Sequence, residues 1–291
     1  MAPIETLEKR RLTLNDCQHA VLLSHEAGWN QTIRDWEFML VHGQGFGFGT
    51  TENPLVATAL TLPHGHRLAW ISMVLVTAAC RQRGLATRLM RTCLDSLAER
   101  AIRPVLDATD TGRQVYGKIG FVPVYRLQRL IRQTEGHTQT ESTPEPHVDI
   151  RPISRSDLQT IINLDQPIFG ADRSAVLAHL HDRQPGFACF IGEAGRTSQG
   201  FIMAREGARA FHLGPVIAEN TETAMALTAH VLGKISGPVT IDALDQHERY
   251  QSWLKNNGFE TQRAFTRMTL KPGTAFDHPG HIYASAGPEF G

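Results

Sequence analysis

Apolar residues recur at helical spacing over 15–26 and 32–41, then change to strand-like runs at 46–50, 55–62 and 70–76. A helix over 84–100, a short strand over 104–107, a short helix over 113–119 and a strand from 122 complete the first half. The order is strand, two helices, three strands, helix, strand, helix, strand, which implies an α/β chain with a mixed sheet and helices on both faces. The second half repeats this order in weaker form. Helices are expected at 157–165 and 174–181, strands at 187–192, 200–205 and 210–213, then a helix over 221–235, a strand over 239–243, a helix over 247–256 and a strand over 265–270. Gly120-Phe121 and Gly258-Phe259 each follow a short late helix and precede a strand, so their placement supports a duplication.

Between the halves, 133–147 (QTEGHTQTESTPEPH) is polar and carries two prolines, so it reads as a linker. The alternating segments beside it, 124–131 and 149–153, read as edge or early strands. The domains are then 1–132 and 148–291, consistent with a length of 291 residues. Lys plus Arg and Asp plus Glu number 29 each, so no global field recruits nucleic acid or an anionic membrane. The N-terminus is too charged for a signal peptide, and no apolar run is long enough to span a membrane. Four scattered cysteines read as reduced thiols. The expected location is the cytoplasm. Three histidine pairs lack neighbouring cysteines or an HExxH pattern, so no metal site is expected.

The strongest chemical signal is the passage from the β-branched run ending at Val74-Leu75-Val76 into a helix through Arg81-Gln82-Arg83-Gly84-Leu85-Ala86-Thr87. The first N–H groups of a helix lack intrahelical partners, and together with the helix dipole they suit a pyrophosphate. Gly84 and Ala86 keep side chains out of the way, Arg81 and Arg83 offer charge-assisted bonds, and Thr87 adds a hydroxyl. The alternative is a routine strand-to-helix turn with two solvated arginines.

On these residues the chain resembles the GCN5-related N-acetyltransferases. Their cofactor loop, Arg or Gln, two residues, Gly, one residue, then Gly or Ala, is matched by Arg81 to Ala86, although Ala78 stands where the family often has proline. Tyr, three residues and Gly-Phe are matched by Tyr116 to Phe121. The resemblance implies two such domains in tandem, each a mostly antiparallel twisted sheet flanked by helices. It implies acetyl-CoA as cosubstrate, a pantetheine arm held by the main chain of Val74 and Val76, a cofactor turn including Gln82 and Leu85, and direct attack by an amine. Tyr116 would protonate the departing thiolate. The second half lacks the arginine-glycine-alanine pattern in its 212–220 turn and has Leu254 where Tyr116 would stand, so it is expected to bind no coenzyme A.

No general base stands out. Asp107 ends a strand, Ser72 is the one hydroxyl on 70–76, and His64 and His66 sit on the preceding turn. Trp29 and Asn30, between the first two helices, either contact an acceptor or pack and cap. Asp165 and Asp172, with Arg173, either recognise a charged small molecule or pair at a helix end. The expected acceptor is a primary amine of a small molecule. The alternatives are a protein lysine or N-terminus, or a non-catalytic module that senses acyl-CoA.

Overall fold

The computed structural model describes residues 7–49, 55–133, 150–191, 199–270 and 275–291, and all but the first residue of the expected linker lies outside them. Contacts divide the chain into two compact units, Met1–Leu106 with Gly207–Arg209, and Asp107–Glu206 with Ala210–Gly291. Both are mixed α/β, with mostly antiparallel sheets flanked by helices. Among the described residues no helix is long and apolar enough to cross a membrane.

The first unit runs through β1 (Glu8–Arg11), α1 (Cys17–Glu26), α2 (Ile33–His42), β2 (Gln44–Gly49), β3 (Ala57–His64), β4 (Leu68–Val76) and α3 (Leu85–Ala98) into β5 (Arg103–Ala108). Its strands follow one another in the sheet, antiparallel except for the parallel pair β4–β5. Thr32 caps α2, accepting the Asp35 N–H while Asp35 accepts the Thr32 N–H, a reciprocal box that removes Asn30 from the capping role. The alternating glycines of β2 make room for packing: a Cβ at Gly45 would stand 2.5 Å from Leu40 Cδ2, and one at Gly47 2.9 Å from Leu12 Cδ2. Helix α3 buries Leu85, Leu89, Met90, Cys93 and Leu97 at helical spacing and packs on β3 and β4.

Strand β4 is bent. Ser72 faces Leu60 and Leu75 faces Thr58 on β3, so β4 carries one more residue than its partner between those pairs, a β-bulge. Met73 sits there with φ 51°, and the Thr58 hydroxyl donates to its carbonyl at 2.8 Å. On the other edge, β5 pairs with β4 only from Leu68↔Arg103 to Trp70↔Val105. Beyond Trp70 the two parallel strands separate.

The second unit begins at the end of β5 and continues with α4 (Asp110–Gly117), β6 (Phe121–Arg132), β7 (Ile150–Pro152), α5 (Leu158–Phe169), α6 (Ser174–Arg183), β8 (Cys189–Ile191), β9 (Gly200–Arg205) and β10 (Phe211–Ala218). After these come α7 (Thr221–Leu232), β11 (Val239–Leu244), α8 (Glu248–Asn256), β12 (Glu260–Leu270) and β13 (Ile282–Ala284). Its strand order is β12-β6-β11-β13-β10-β9-β8-β7. The core gathers Ala224, Leu227 and Val231 of α7, Tyr250 and Leu254 of α8, and Leu213, Val216 and Ile241 of the sheet.

Two features depart from the sequence reading. The 124–131 segment, read as an edge or early strand, is not at an edge: β6 lies between β12 and β11, antiparallel to both, and its partners come from the second half of the chain. Contacts accordingly group β6 with the second unit. The late residues Ile282–Ala284 form a strand inside the sheet, paired antiparallel with Val216 and Ile217 of β10 and with Ala243 of β11. By contrast β7 does lie at an edge, bonded to β8 alone.

Candidate functional site

In the first unit the chain leaves β4, makes a short 3-10 turn over Ala78–Cys80 and starts α3 behind Gly84. Gly84 has φ 74° and ψ 4°, so it offers no side-chain cap, and a Cβ built there would meet no atom within 4 Å. The first helical bond is Arg88 N–H to Gly84 O at 3.0 Å, which leaves the N–H groups of Leu85, Ala86 and Thr87 without intrahelical acceptors. Gln82 is also left-handed, at φ 60°. Two such residues within three positions form the kind of turn in which successive N–H groups converge on an anion. Arg81, Gln82, Arg83 and Gly84 are exposed, Ala86 and Thr87 half-buried, and Leu85 buried as the helix's first anchor. Arg81 Nε donates to Val76 O at 3.2 Å, which orients the guanidinium against the end of β4. Val74 and Val76 are half-buried on the stretch of β4 that has left β5, so their main chain receives no ladder bonds from that side. A tight open turn, a helix N-terminus and an unpaired strand edge are thus contiguous, the chemistry needed for a diphosphate followed by an amide-bearing arm.

A residue that the sequence reading passed over completes the turn. Glu26, the last of α1, accepts the Ala78 N–H at 2.7 Å and the Thr77 hydroxyl at 3.0 Å through one oxygen. Trp29, three residues on, is half-buried, and its N–H donates to Ser24 O. Asn30 is buried: its carbonyl accepts the Ala208 N–H at 2.8 Å and its Oδ1 the Arg209 N–H at 2.9 Å. That is why Gly207–Arg209 belongs to the first unit.

The other candidates lie in the second unit. Tyr116 is half-buried near the end of α4, its ring centroid 6.2 Å from that of Phe121. The Asp107 side chain is 2% exposed and takes two hydrogen bonds from Arg267, which also donates to Tyr125 Oη, while Tyr125 donates to Asp277. Burial drives the Tyr125 phenol well above its ordinary range and raises the Asp277 carboxyl. Asp165 is likewise enclosed, held by Arg173 through bonds of 2.8 and 2.7 Å, and Arg173 also donates to Gly291 O. Asp172 is exposed and accepts the Ser174 N–H at the start of α6. The structure thus gathers Val74, Val76 and the 81–87 turn with Trp29 and Asn30 in one unit, and Asp165 near Asp172 in the other. Asp107 and Asp165 are engaged by buried arginines within the fold.

The same architecture recurs in the second unit with a different outcome. Strands β10 and β11 pair in parallel from Phe211↔Val239 to Leu213↔Ile241, and the pairing of β10 with β9 shifts register at Gly214-Pro215. Here β13 occupies the place where the parallel strands part. The following helix is closed too: the Asn220 side chain accepts the Thr223 N–H at 2.9 Å, and Tyr283 of β13 lies 3.2 Å from the Thr221 hydroxyl.

Residues 12–121 match the model of the acetyltransferase (GNAT) family, and residues 161–284 match an acetyltransferase (GNAT) domain model. This chain is a tandem GNAT protein. Solved structures share the fold of this tandem GNAT protein at low identity. A Pyrococcus horikoshii protein classed as an acetyltransferase is 18% identical with a TM-score of 0.79, over 100% of this chain and 98% of that one. A GCN5-related N-acetyltransferase from Sphaerobacter thermophilus is 14% identical with a TM-score of 0.67, over 95% and 100%. A tandem GNAT protein from the clavulanic acid biosynthesis pathway is 13% identical with a TM-score of 0.65, over 92% and 99%. A search of curated protein sequences found no match.

Proposed function

We propose that this tandem GNAT protein is an acetyl-CoA-dependent N-acetyltransferase that moves an acetyl group to a primary amine of a small molecule by direct attack. The observation that carries the reading is the start of α3, where three N–H groups without intrahelical acceptors stand behind a left-handed glycine with open space before it. Arg81 and Arg83, with the amides of the 82–87 turn, would hold the diphosphate. The main chain of Val74 and Val76 would hold the arm. Bound acetyl-CoA supplies a thioester whose acyl carbon an amine attacks. Tyr116 is the phenol assigned to the departing thiolate, to which its O–H would donate.

A small acceptor is favoured over a protein lysine because Gly207–Arg209 seats on Asn30 of the α1–α2 loop, which would narrow access along that loop. Trp29 in that loop is the candidate for acceptor recognition, whereas the Asn30, Asp107 and Asp165 side chains already serve the fold. Four buried free cysteines suit the reducing cytoplasm.

Titration calorimetry with acetyl-CoA tests the reading, with the Arg81→Ala/Gly84→Glu double variant as control. Saturable binding at one site per chain that disappears in the variant is expected, because the glutamate sets a strained, negative side chain before the amides. Absence of binding to the folded wild type would overturn it. With binding secured, thiol release in the presence of a panel of small amines and of a lysine peptide separates the two acceptor classes.

A further inference from the structure

The residues on either side of Glu26 give it more than a local role. Before it runs α1, and after it comes the loop that carries Trp29 and Asn30. Its carboxylate reaches across to the first residues of the cofactor turn, taking the Thr77 hydroxyl and the Ala78 N–H on the same oxygen. Thr77 itself makes no side-chain cap to the 3-10 turn, so its hydroxyl is spent on Glu26 instead. The turn between Val76 and Gly84 is short, is exposed apart from half-buried Thr77 and buried Cys80, and contains a left-handed non-glycine residue at Gln82. Such backbone persists only where its surroundings fix it. Among the described residues, hydrogen bonds tie 77–81 to the remainder of the unit from Thr77 N–H to Val56 O, from Arg81 Nε to Val76 O, and twice to Glu26. Glu26 is the side chain among these that comes from outside the turn.

We propose that Glu26 is a positioning residue for the donor site. It fixes the direction in which the chain leaves β4, and so the placement of Arg81 and the α3 amides, and it ties that turn to the acceptor-side loop. The inference rests on the acetyl-CoA reading above and names the residue that preorganises its site. Glu26 touches no reacting atom, so its loss acts on the affinity for acetyl-CoA and leaves turnover at saturating donor largely intact.

Ala78 allows the mechanism to be separated from a general loss of stability. It opens a helical turn, a position that proline accepts, and Thr77 before it is already extended at φ −54° and ψ 145°, as a residue preceding proline must be. Proline at 78 would restrict the same backbone torsion that Glu26 steadies, with no need for the carboxylate.

Three proteins are titrated with acetyl-CoA: wild type, Glu26→Ala, and Glu26→Ala/Ala78→Pro. Loss of two hydrogen bonds to a solvent-exposed carboxylate predicts a Kd about tenfold weaker for the single variant. The KM for acetyl-CoA should rise by a similar factor, with kcat within about twofold. The double variant should recover most of the affinity. Wild-type affinity in Glu26→Ala, or a double variant no better than the single, would overturn the proposal while leaving the acetyl-CoA reading standing. A folded wild type that does not bind acetyl-CoA removes both.

Discussion

Arg267 grips Asp107 with two hydrogen bonds of 2.8 Å, the arginine side chain wholly buried and the carboxylate nearly so. A buried pair of this geometry is costly to break from one side, because the surviving charge stays out of water without its nearest counter-ion, Asp277 lying 3.9 Å from Arg267. Asp107→Ala is expected to lower unfolding stability by about 3–5 kcal/mol, and Arg267→Ala by a similar amount, measured by denaturant titration. An Asp107→Ala protein that kept its stability and lost only acceptor affinity would return Asp107 to the acceptor site.

His212 gives the second unit a pH dependence of definite sign. Its ring is buried, with Asp242 favouring the proton, Arg205 and Arg129 opposing it, and Ser285 O 3.5 Å away; burial, the largest influence, brings its pKa down from 6.5 to about 3. Below 6.5 the unfolded chain binds a proton that the folded chain refuses until about 3, so stability falls as the pH drops through that window. The slope from this one group approaches about 1.4 kcal/mol per pH unit. Guanidinium midpoints measured from pH 7 to 4.5 should fall steadily, and His212→Gln should flatten the trend. A wild-type midpoint constant over that range would refute the argument.

Tyr116→Phe removes one hydroxyl and keeps the ring that packs near Phe121. If the phenol protonates the departing thiolate, kcat falls about a hundredfold or more while the Kd for acetyl-CoA is unchanged. Unchanged turnover would remove the acid role and favour a protein that senses acyl-CoA without transferring the group.

Much of the frame was legible before any coordinates. The 84–100 helix reads directly from Leu85, Leu89, Cys93 and Leu97, and the turn before it from Arg81, Gly84 and Ala86, because local spacing determines both. Strand β6 is legible as an edge or early strand, but not its place between β12 and β11. Its alternation, with Leu127 buried and Val124 exposed, describes which side chains meet the core and says nothing of ladder partners supplied by Ala243 and Phe265 far along the chain. Strand β13 could not be read, since three residues, Ile-Tyr-Ala, are too few to show a period. Glu26 escaped for another reason: an exposed acid at a helix end looks like any solvated one until the Ala78 N–H stands beside it. Asp107 reads only as a carboxylate, because its partner Arg267 lies far along the chain, whereas the pairing of Asp165 with Arg173 is one of the two readings that the local sequence offers.

The placement of β13 sets an order of assembly. Strands β10 and β11 meet along only three residue pairs before parting, and the strand that joins them again is made some forty residues after β11 leaves the ribosome. Strand β6 waits as well, since both of its neighbours are synthesised more than a hundred residues later. During that interval the second unit presents open strand edges, the surfaces on which chains pair wrongly with one another. The first unit has no such delay along β2, β3 and β4, which follow one another as antiparallel neighbours. A nascent chain would therefore build the sheet of its first unit early, and the closing of the second sheet by residues 282–284 would be among the last events of its folding.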